Sequence, residues 1–156
     1  MSVRIRQLLD RDLPEVFAIE QKMFPDDAWT IAMFESELAQ PGTRHYVVAE
    51  ADEAIVGYAG LSTAGGHQGD VQTIAVRADR QGEGIGTALL DELIDVAESL
   101  GCRELFLDVR ADNDRAHLLY RRRGFTDIGV RRRYYQPSGT DAIVMCLHLP
   151  RRTGAS

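Results

Sequence analysis

Two side chains late in the chain are of types that move protons. Asp108 ends the apolar run Glu104-Leu105-Phe106-Leu107, and Tyr120 follows on the next amphipathic stretch. A carboxylate at a strand end can take a proton and a nearby phenol can give one. Open α/β sheets hold their ligands in crevices at such strand ends. Each residue also has a plain structural reading. Asp108 can pair with Arg110, two residues along the same strand face, and Tyr120 shares a helical face with Ala116 and Leu119. Spacing alone favours the structural readings.

A second feature needs no side chain. Arg80-Gln81-Gly82-Glu83-Gly84-Ile85-Gly86-Thr87 follows the apolar run Thr73-Ile74-Ala75-Val76 and opens a helical pattern through Ile85, Leu89, Leu93, Ala97 and Leu100. Strand, glycine loop and helix in that order present free backbone N–H groups at the positive end of a helix dipole, where phosphates bind. Glycines let a pyrophosphate approach the main chain closely. The loop reads as a nucleotide-cofactor cradle. A Walker loop would need a lysine after its last glycine, and Lys22 is the only lysine. The spacing also departs from the dinucleotide fingerprint, although Asp108 lies about where a ribose-binding acid would. A glycine-rich turn without a ligand remains the third reading.

Other chemistries lack their residues. There is no Gly-x-Ser-x-Gly elbow and no Cys beside a His. The four histidines are scattered, giving no zinc spacing, and Asp112-Asn113-Asp114 lacks the alternation of a calcium loop. Cys102 and Cys146 sit in apolar surroundings and read as buried free thiols. With 156 residues, 44% hydrophobic and 27% charged, the chain suits one globular domain, expected over residues 1–150 with a polar tail at 151–156. No apolar run reaches membrane-span length and the first residues form no signal region, so a cytoplasmic protein without membrane association is expected. Residues 1–100 carry a net charge of −11 and residues 101–156 one of +5. That division suits a basic acceptor on one side and a phosphorylated cofactor on the other, although solvated surface accounts for most of these charges. No aromatic-interleaved basic stripe points to nucleic acid.

The elements that must position these residues follow in order. Val3 to Leu8 reads as a strand. Asp12-Leu13-Pro14-Glu15 starts a helix with Asp12 as its cap, and Thr30 caps a second helix that Pro41-Gly42 stops. His45 to Glu50 and Ile55 to Leu61 make a hairpin about Asp52-Glu53. Val71 to Val76 leads into the glycine loop, and the long helix closes at Gly101. Glu104 to Val109 is a strand, Asn113 caps a helix that Gly124 stops, and Phe125 to Tyr135 and Asp141 to Leu149 form a last hairpin. The order β-α-α-β-β-β-α-β-α-β-β implies an α/β fold with a mixed central sheet. Its N-terminal half is antiparallel, and a parallel pair is expected where the helical crossover joins the strand before the loop to the strand at Leu105.

Taken together, Gln81-Gly82-Glu83-Gly84-Ile85-Gly86 resembles the signature of the GNAT N-acetyltransferase superfamily. Further pieces are similar to the ribosomal-protein alanine N-acetyltransferase (RimI) family, and to its actinobacterial members. They are Phe24-Pro25 through Trp29, Thr73 to Val76, Leu107-Asp108-Val109-Arg110-Ala111-Asp112-Asn113, Leu119-Tyr120, Gly124-Phe125, Arg131 to Tyr135 and Asp141 to Met145. They span nearly the whole chain in order.

The resemblance implies acetyl-CoA as donor. It places the pyrophosphate on the amides of Gln81, Gly82, Glu83, Gly84, Ile85, Gly86 and Thr87. It places the pantetheine arm beside the backbone of Ile74, Ala75 and Val76, with Asn113 bonding the same arm. It makes Tyr120 the acid that protonates the leaving thiolate, and it puts the base at Asp108, where the family has glutamate. Trp29, Tyr134 and Tyr135 would border the acceptor, the N-terminal alanine of a small-subunit ribosomal protein. Asp108 is one methylene short, which displaces its carboxylate by more than ~1 Å, and Ala28 stands where the family has proline. The readings that stay open are acetylation of a small amine such as a polyamine or aminoglycoside, a non-catalytic acyl-CoA binding module, and, distantly, a dehydrogenase.

Overall fold

The structure, a computed structural model, describes residues 3–150; the expected tail at 151–156 lies outside the described residues. Strand β1 (Arg4–Gln7) is followed by a 3-10 turn at Asp10–Asp12, the first of two (the other is Ala78–Arg80, before the glycine loop), and by helices α1 (Leu13–Met23) and α2 (Ile31–Leu38). Strands β2 (Arg44–Ala51), β3 (Ala54–Gly65) and β4 (Gln68–Val76) lead to helix α3 (Ile85–Ser99). Strand β5 (Glu104–Arg110), helix α4 (Asp114–Arg122) and strands β6 (Thr126–Tyr135) and β7 (Thr140–His148) complete the order. It is the order expected.

Local chemistry accounts for most of the boundaries. Thr30 accepts the Met33 N–H at 3.1 Å and Asn113 accepts that of Ala116 at 3.1 Å, so both cap their helices. Gly101 takes a φ of 84° after α3. Asp52 and Glu53 both adopt positive φ, 53° and 64°, the conformation a tight hairpin turn needs. Asp12 departs from expectation. Its carboxylate gives α1 no cap; it accepts the Leu9 N–H at 2.8 Å and pairs with Arg6 at 2.7 Å instead. A bidentate arginine outcompetes a lone helix amide for a carboxylate.

The seven strands form one sheet in the order β1-β2-β3-β4-β5-β7-β6. All neighbours are antiparallel except β4 and β5, the parallel pair expected at the crossover. Side chains of β2 alternate between two cores. Tyr46 and Val48 join Val16, Ile19 and Phe34 under α1 and α2, while Ala49 and Ala51 join Leu89, Leu93 and Leu105 under α3. Both cysteines are buried and free.

The β4–β5 seam shapes the molecule. Pairing runs from Gln68↔Glu104 to Val71↔Leu107 and stops there. Beyond that point β4 stays paired with β3 as far as Val76↔Gly57, and β5 with β7 as far as Arg110↔Ala142. Each half-sheet is continuous while the seam between them opens. The β5-facing backbone edge of β4 from Gln72 onward is therefore left without a strand partner, and such an edge accepts an added extended chain.

Candidate active site

A cavity of about 120 Å³ occupies the opened seam. β4 contributes Val71, Gln72, Thr73 and Ile74, and β5 contributes Leu107, Asp108, Val109 and Arg110. Asn113, Ala116 and Tyr120 enter from α4 and its cap, Trp29 and Asp27 from the α1–α2 loop, Glu20 from α1 and Tyr135 from β6. Residues that are far apart in the chain, Trp29, Ile74, Asp108, Asn113, Tyr120 and Tyr135, thus share one cleft.

Asp108 does not pair with Arg110. Its carboxylate lies 3.3 Å from Arg131 Nε of β6, and the Tyr135 hydroxyl donates to its backbone carbonyl at 3.2 Å. Arg110 turns to Asp27 and Asp112 instead. Tyr120 is 4% exposed with its ring edge-on to Phe125, centroids 5.9 Å apart. Burial, then the neighbouring Tyr135, holds its phenol above the ordinary value, so it keeps its proton at neutral pH. Tyr120 is thus core and cleft wall at once, whereas Asp108 lines the cleft without the pairing its strand position suggests.

The glycine loop is open toward solvent at Gly82, Glu83 and Gly84. Gly82 and Gly84 have φ of 84° and 83°, a backbone region that disfavours any side chain. Gly84 caps α3 without a side-chain bond, so the first-turn amides of the helix point outward with no carbonyl one turn back to reach. Gln81 Nε2 donates to the Val76 carbonyl at 3.2 Å, and Glu83 pairs with Arg80. Gly86 allows α3 to pass α4 closely: a Cβ there would stand 3.3 Å from Leu119 Cδ2. Arg115 of α4 borders the loop, its Nη1 3.9 Å from where a Cβ on Gly82 would sit. Outward amides, glycines and one adjacent guanidinium form a donor set that fits a pyrophosphate. The open β4 edge at Ile74, Ala75 and Val76 leads from that loop to Asp108. Asn113 spends its carbonyl oxygen on the α4 cap, which leaves its amide N–H groups for a ligand.

The α1–α2 loop is pinned rather than loose. The Asp27 carboxylate pairs with Arg110 and accepts from Ser138 N–H at 3.2 Å and Ser138 Oγ at 2.8 Å. Those bonds tie the α1–α2 loop to β5 and to the β6–β7 turn, in spite of Ala28. Burial pushes Asp27 up, but Arg110 and Ser138 outweigh it and hold the carboxyl below its ordinary range. Trp29 is both core and wall: its ring packs on Phe34 with centroids 5.1 Å apart, and it also lines the cleft. Tyr135 lines the cleft, whereas Tyr134 is 50% exposed outside it, edge-on to Tyr135 at 5.2 Å.

Glu20 is the site residue the sequence reading passed over. It is 2% exposed and lines the cleft, accepting the Trp29 N–H at 2.9 Å and the Tyr58 hydroxyl. Desolvation raises its pKa, opposed by those two bonds. The available signal was periodicity: Glu20 continues the buried stripe of Leu13, Val16 and Ile19.

Comparison with known proteins agrees with this geometry. Residues 4–125 match the acetyltransferase (GNAT) family. The chain is 44% identical to the N-alpha-acetyltransferase RimI of Mycobacterium tuberculosis over 147 residues, 92% of this chain and 90% of that protein. It is 34% identical to the [ribosomal protein bS18]-alanine N-acetyltransferase of Escherichia coli K12, over 92% of this chain and 95% of that protein. A crystal structure of the Escherichia coli ribosomal-protein alanine N-acetyltransferase superposes with a TM-score of 0.85 at 31% identity, covering 99% of each chain. A cleft built on a parted parallel strand pair, joined to relatives that match end to end, places the chain in the acetyltransferase (GNAT) family, within its RimI group.

Proposed function

We propose that this enzyme moves the acetyl group of acetyl-CoA to the N-terminal alanine amine of a small-subunit ribosomal protein, in the cytoplasm, with residues 1–150 acting as one catalytic domain. The observation that carries the reading is the parted β4–β5 seam. Its opening holds Asp108 and Tyr120 in one cleft, and the unpaired β4 edge that borders it runs on through Val76 toward the glycine loop. The RimI-type relatives support the acceptor assignment.

The loop amides and Arg115 hold the donor's phosphates, and the edge of Ile74 to Val76 with the Asn113 amide aligns its arm. When bound, the donor supplies the activated acetyl carbonyl. The acceptor arrives as an α-ammonium with a pKa near ~8 and must lose a proton before it can attack. Asp108 faces it as a carboxylate ion partner, and Tyr120 gives its proton to the departing thiolate. Fixing amine and carbonyl in one cleft supplies proximity that solution lacks. Arg131 to Tyr134 are exposed beside the cleft, which leaves room for a peptide to trail outward.

The test is acetyl transfer to a short Ala-started, arginine-rich peptide, read by thiol release and product mass, beside the same peptide with a blocked N-terminus and a panel of small amines. Transfer to the free N-terminus alone is expected. Transfer only to small amines would overturn the acceptor assignment, and donor binding without any transfer would overturn catalysis.

A further inference from the structure

A buried acid in a protein interior is ordinarily paired with a cation, because desolvating a lone carboxylate is costly. Glu20 breaks that rule, and it lines the cleft. Its hydrogen-bond partners, the Trp29 N–H and the Tyr58 hydroxyl, are both uncharged. Of the titratable and charged groups, Tyr58 of β3 is bonded to it and Tyr46 of β2 lies within reach of its charge, while Asp27 of the α1–α2 loop, Asp108 and Arg110 of β5, Tyr120 of α4 and Tyr135 of β6 line the same cleft. Arg110 is the cation in that set, and its guanidinium is already bound to Asp27 and Asp112. Asp108 is the contrasting carboxylate: its charge is shared with Arg131, whose Nε lies 3.3 Å away.

We propose that Glu20, which lines the cleft together with Asp108 and Tyr120, receives the proton of the acceptor ammonium, while Asp108 holds the amine in register. The inference rests on the acetyl-transfer reading above. An ammonium N–H bond breaks and an O–H bond forms on the Glu20 carboxylate. The freed lone pair forms the N–C bond with the acetyl carbonyl carbon, the C–S bond breaks, and the thiolate takes the proton of Tyr120 Oη. The second proton lost by the nitrogen restores the Tyr120 phenol, and Glu20 releases its proton to water as the products leave. Burial has already moved Glu20 upward from the ordinary carboxylate range, the direction a base working near neutrality requires.

The experiment compares the pH dependence of kcat for the full chain and for Glu20→Gln, Glu20→Asp and Asp108→Asn, with acetyl-CoA and the Ala-started peptide. Thermal melting and acetyl-CoA binding verify that each variant is folded. Glu20→Gln retains a carbonyl acceptor for the Trp29 N–H, so the loop stays in place. Its kcat is expected to fall by ~10²–10⁴-fold, with both KM values near wild type and the acidic limb of the profile gone. Glu20→Asp keeps a carboxylate and restores part of the rate together with the limb. Asp108→Asn keeps the limb and raises the peptide KM. A Glu20→Gln enzyme that retains the wild-type limb, or loss of the limb in Asp108→Asn alone, overturns the assignment. Absence of transfer by the wild-type chain would instead refute the acetyl-transfer reading itself.

Discussion

Asp27 and Arg110, 83 residues apart in sequence, form an ion pair that fastens the α1–α2 loop to the end of β5. The carboxyl of Asp27 titrates below its ordinary value, so the folded state binds fewer protons there than the unfolded chain. Its contribution is full above the unfolded pKa of ~4 and disappears as pH falls through the depressed folded value. Asp27→Asn is therefore expected to lower the melting temperature at neutral pH and raise the peptide KM, with the melting difference vanishing in strong acid. Melting curves of both proteins across pH check the first effect, and steady-state kinetics the second.

Tyr120→Phe removes one hydroxyl and keeps the ring that packs on Phe125. The expected result is a kcat lower by ~10²-fold or more with unchanged melting and unchanged acetyl-CoA binding. A variant at wild-type rate would remove Tyr120 from the reaction.

The cofactor side is testable without touching the chemistry. Gly82 has a φ of 84° and borders Arg115. Gly82→Val adds strain of about 1–2 kcal/mol in the left-handed region and covers the amides. Arg115→Ala removes the adjacent cation and leaves the backbone alone. Both are expected to raise the KM for acetyl-CoA, Gly82→Val by more, while the peptide KM stays near wild type.

Glu20 has the opposite pH signature to Asp27. A carboxyl whose folded pKa is raised stabilises the fold below its unfolded pKa, and that contribution is lost as pH rises through the folded value. Glu20→Gln should melt at or above the wild-type temperature in alkaline buffer and lose that advantage on acidification. Melting as a function of pH, set beside activity, then separates a functional acid from a structural one.

Attraction of an arginine-rich acceptor by acids of the N-terminal half narrows to fewer residues than the sequence suggests. Asp27 is bound to Arg110 and Ser138, and Glu37 to Arg44 and the Tyr46 hydroxyl. Asp26 and Glu35 are the exposed acids of those two segments. Neutralising both is expected to raise the KM of the basic peptide and flatten its dependence on salt, since exposed charges act through a screened field. An unchanged KM would end the hypothesis.

Helix caps and turns were legible because their causes are local. Thr30, Asn113, Gly101 and the Asp52-Glu53 turn each act within a few residues of themselves, and the structure has them as read. The partners of charged side chains were not legible. Asp12 was read as a cap and pairs with Arg6. Asp108 was offered Arg110 as a neighbour and pairs with Arg131. In each case the competing partner arrives from another part of the fold, and a guanidinium that can reach a carboxylate displaces weaker local bonds.

The element order, the outward amides of the glycine loop and the places of Asp108 and Tyr120 along the chain follow from local sequence. Periodicity, glycine conformation and helix ends are properties of short segments, which is why they can be read in one dimension. Only the folded chain shows that β4 parts from β5 after Val71↔Leu107 and that Glu20 of α1 lines the opening together with Asp108 and Tyr120. The cleft exists because two half-sheets keep their own pairing while the seam between them fails. That outcome depends on packing among elements as far apart in the chain as Glu20 and Tyr135, which no local pattern encodes.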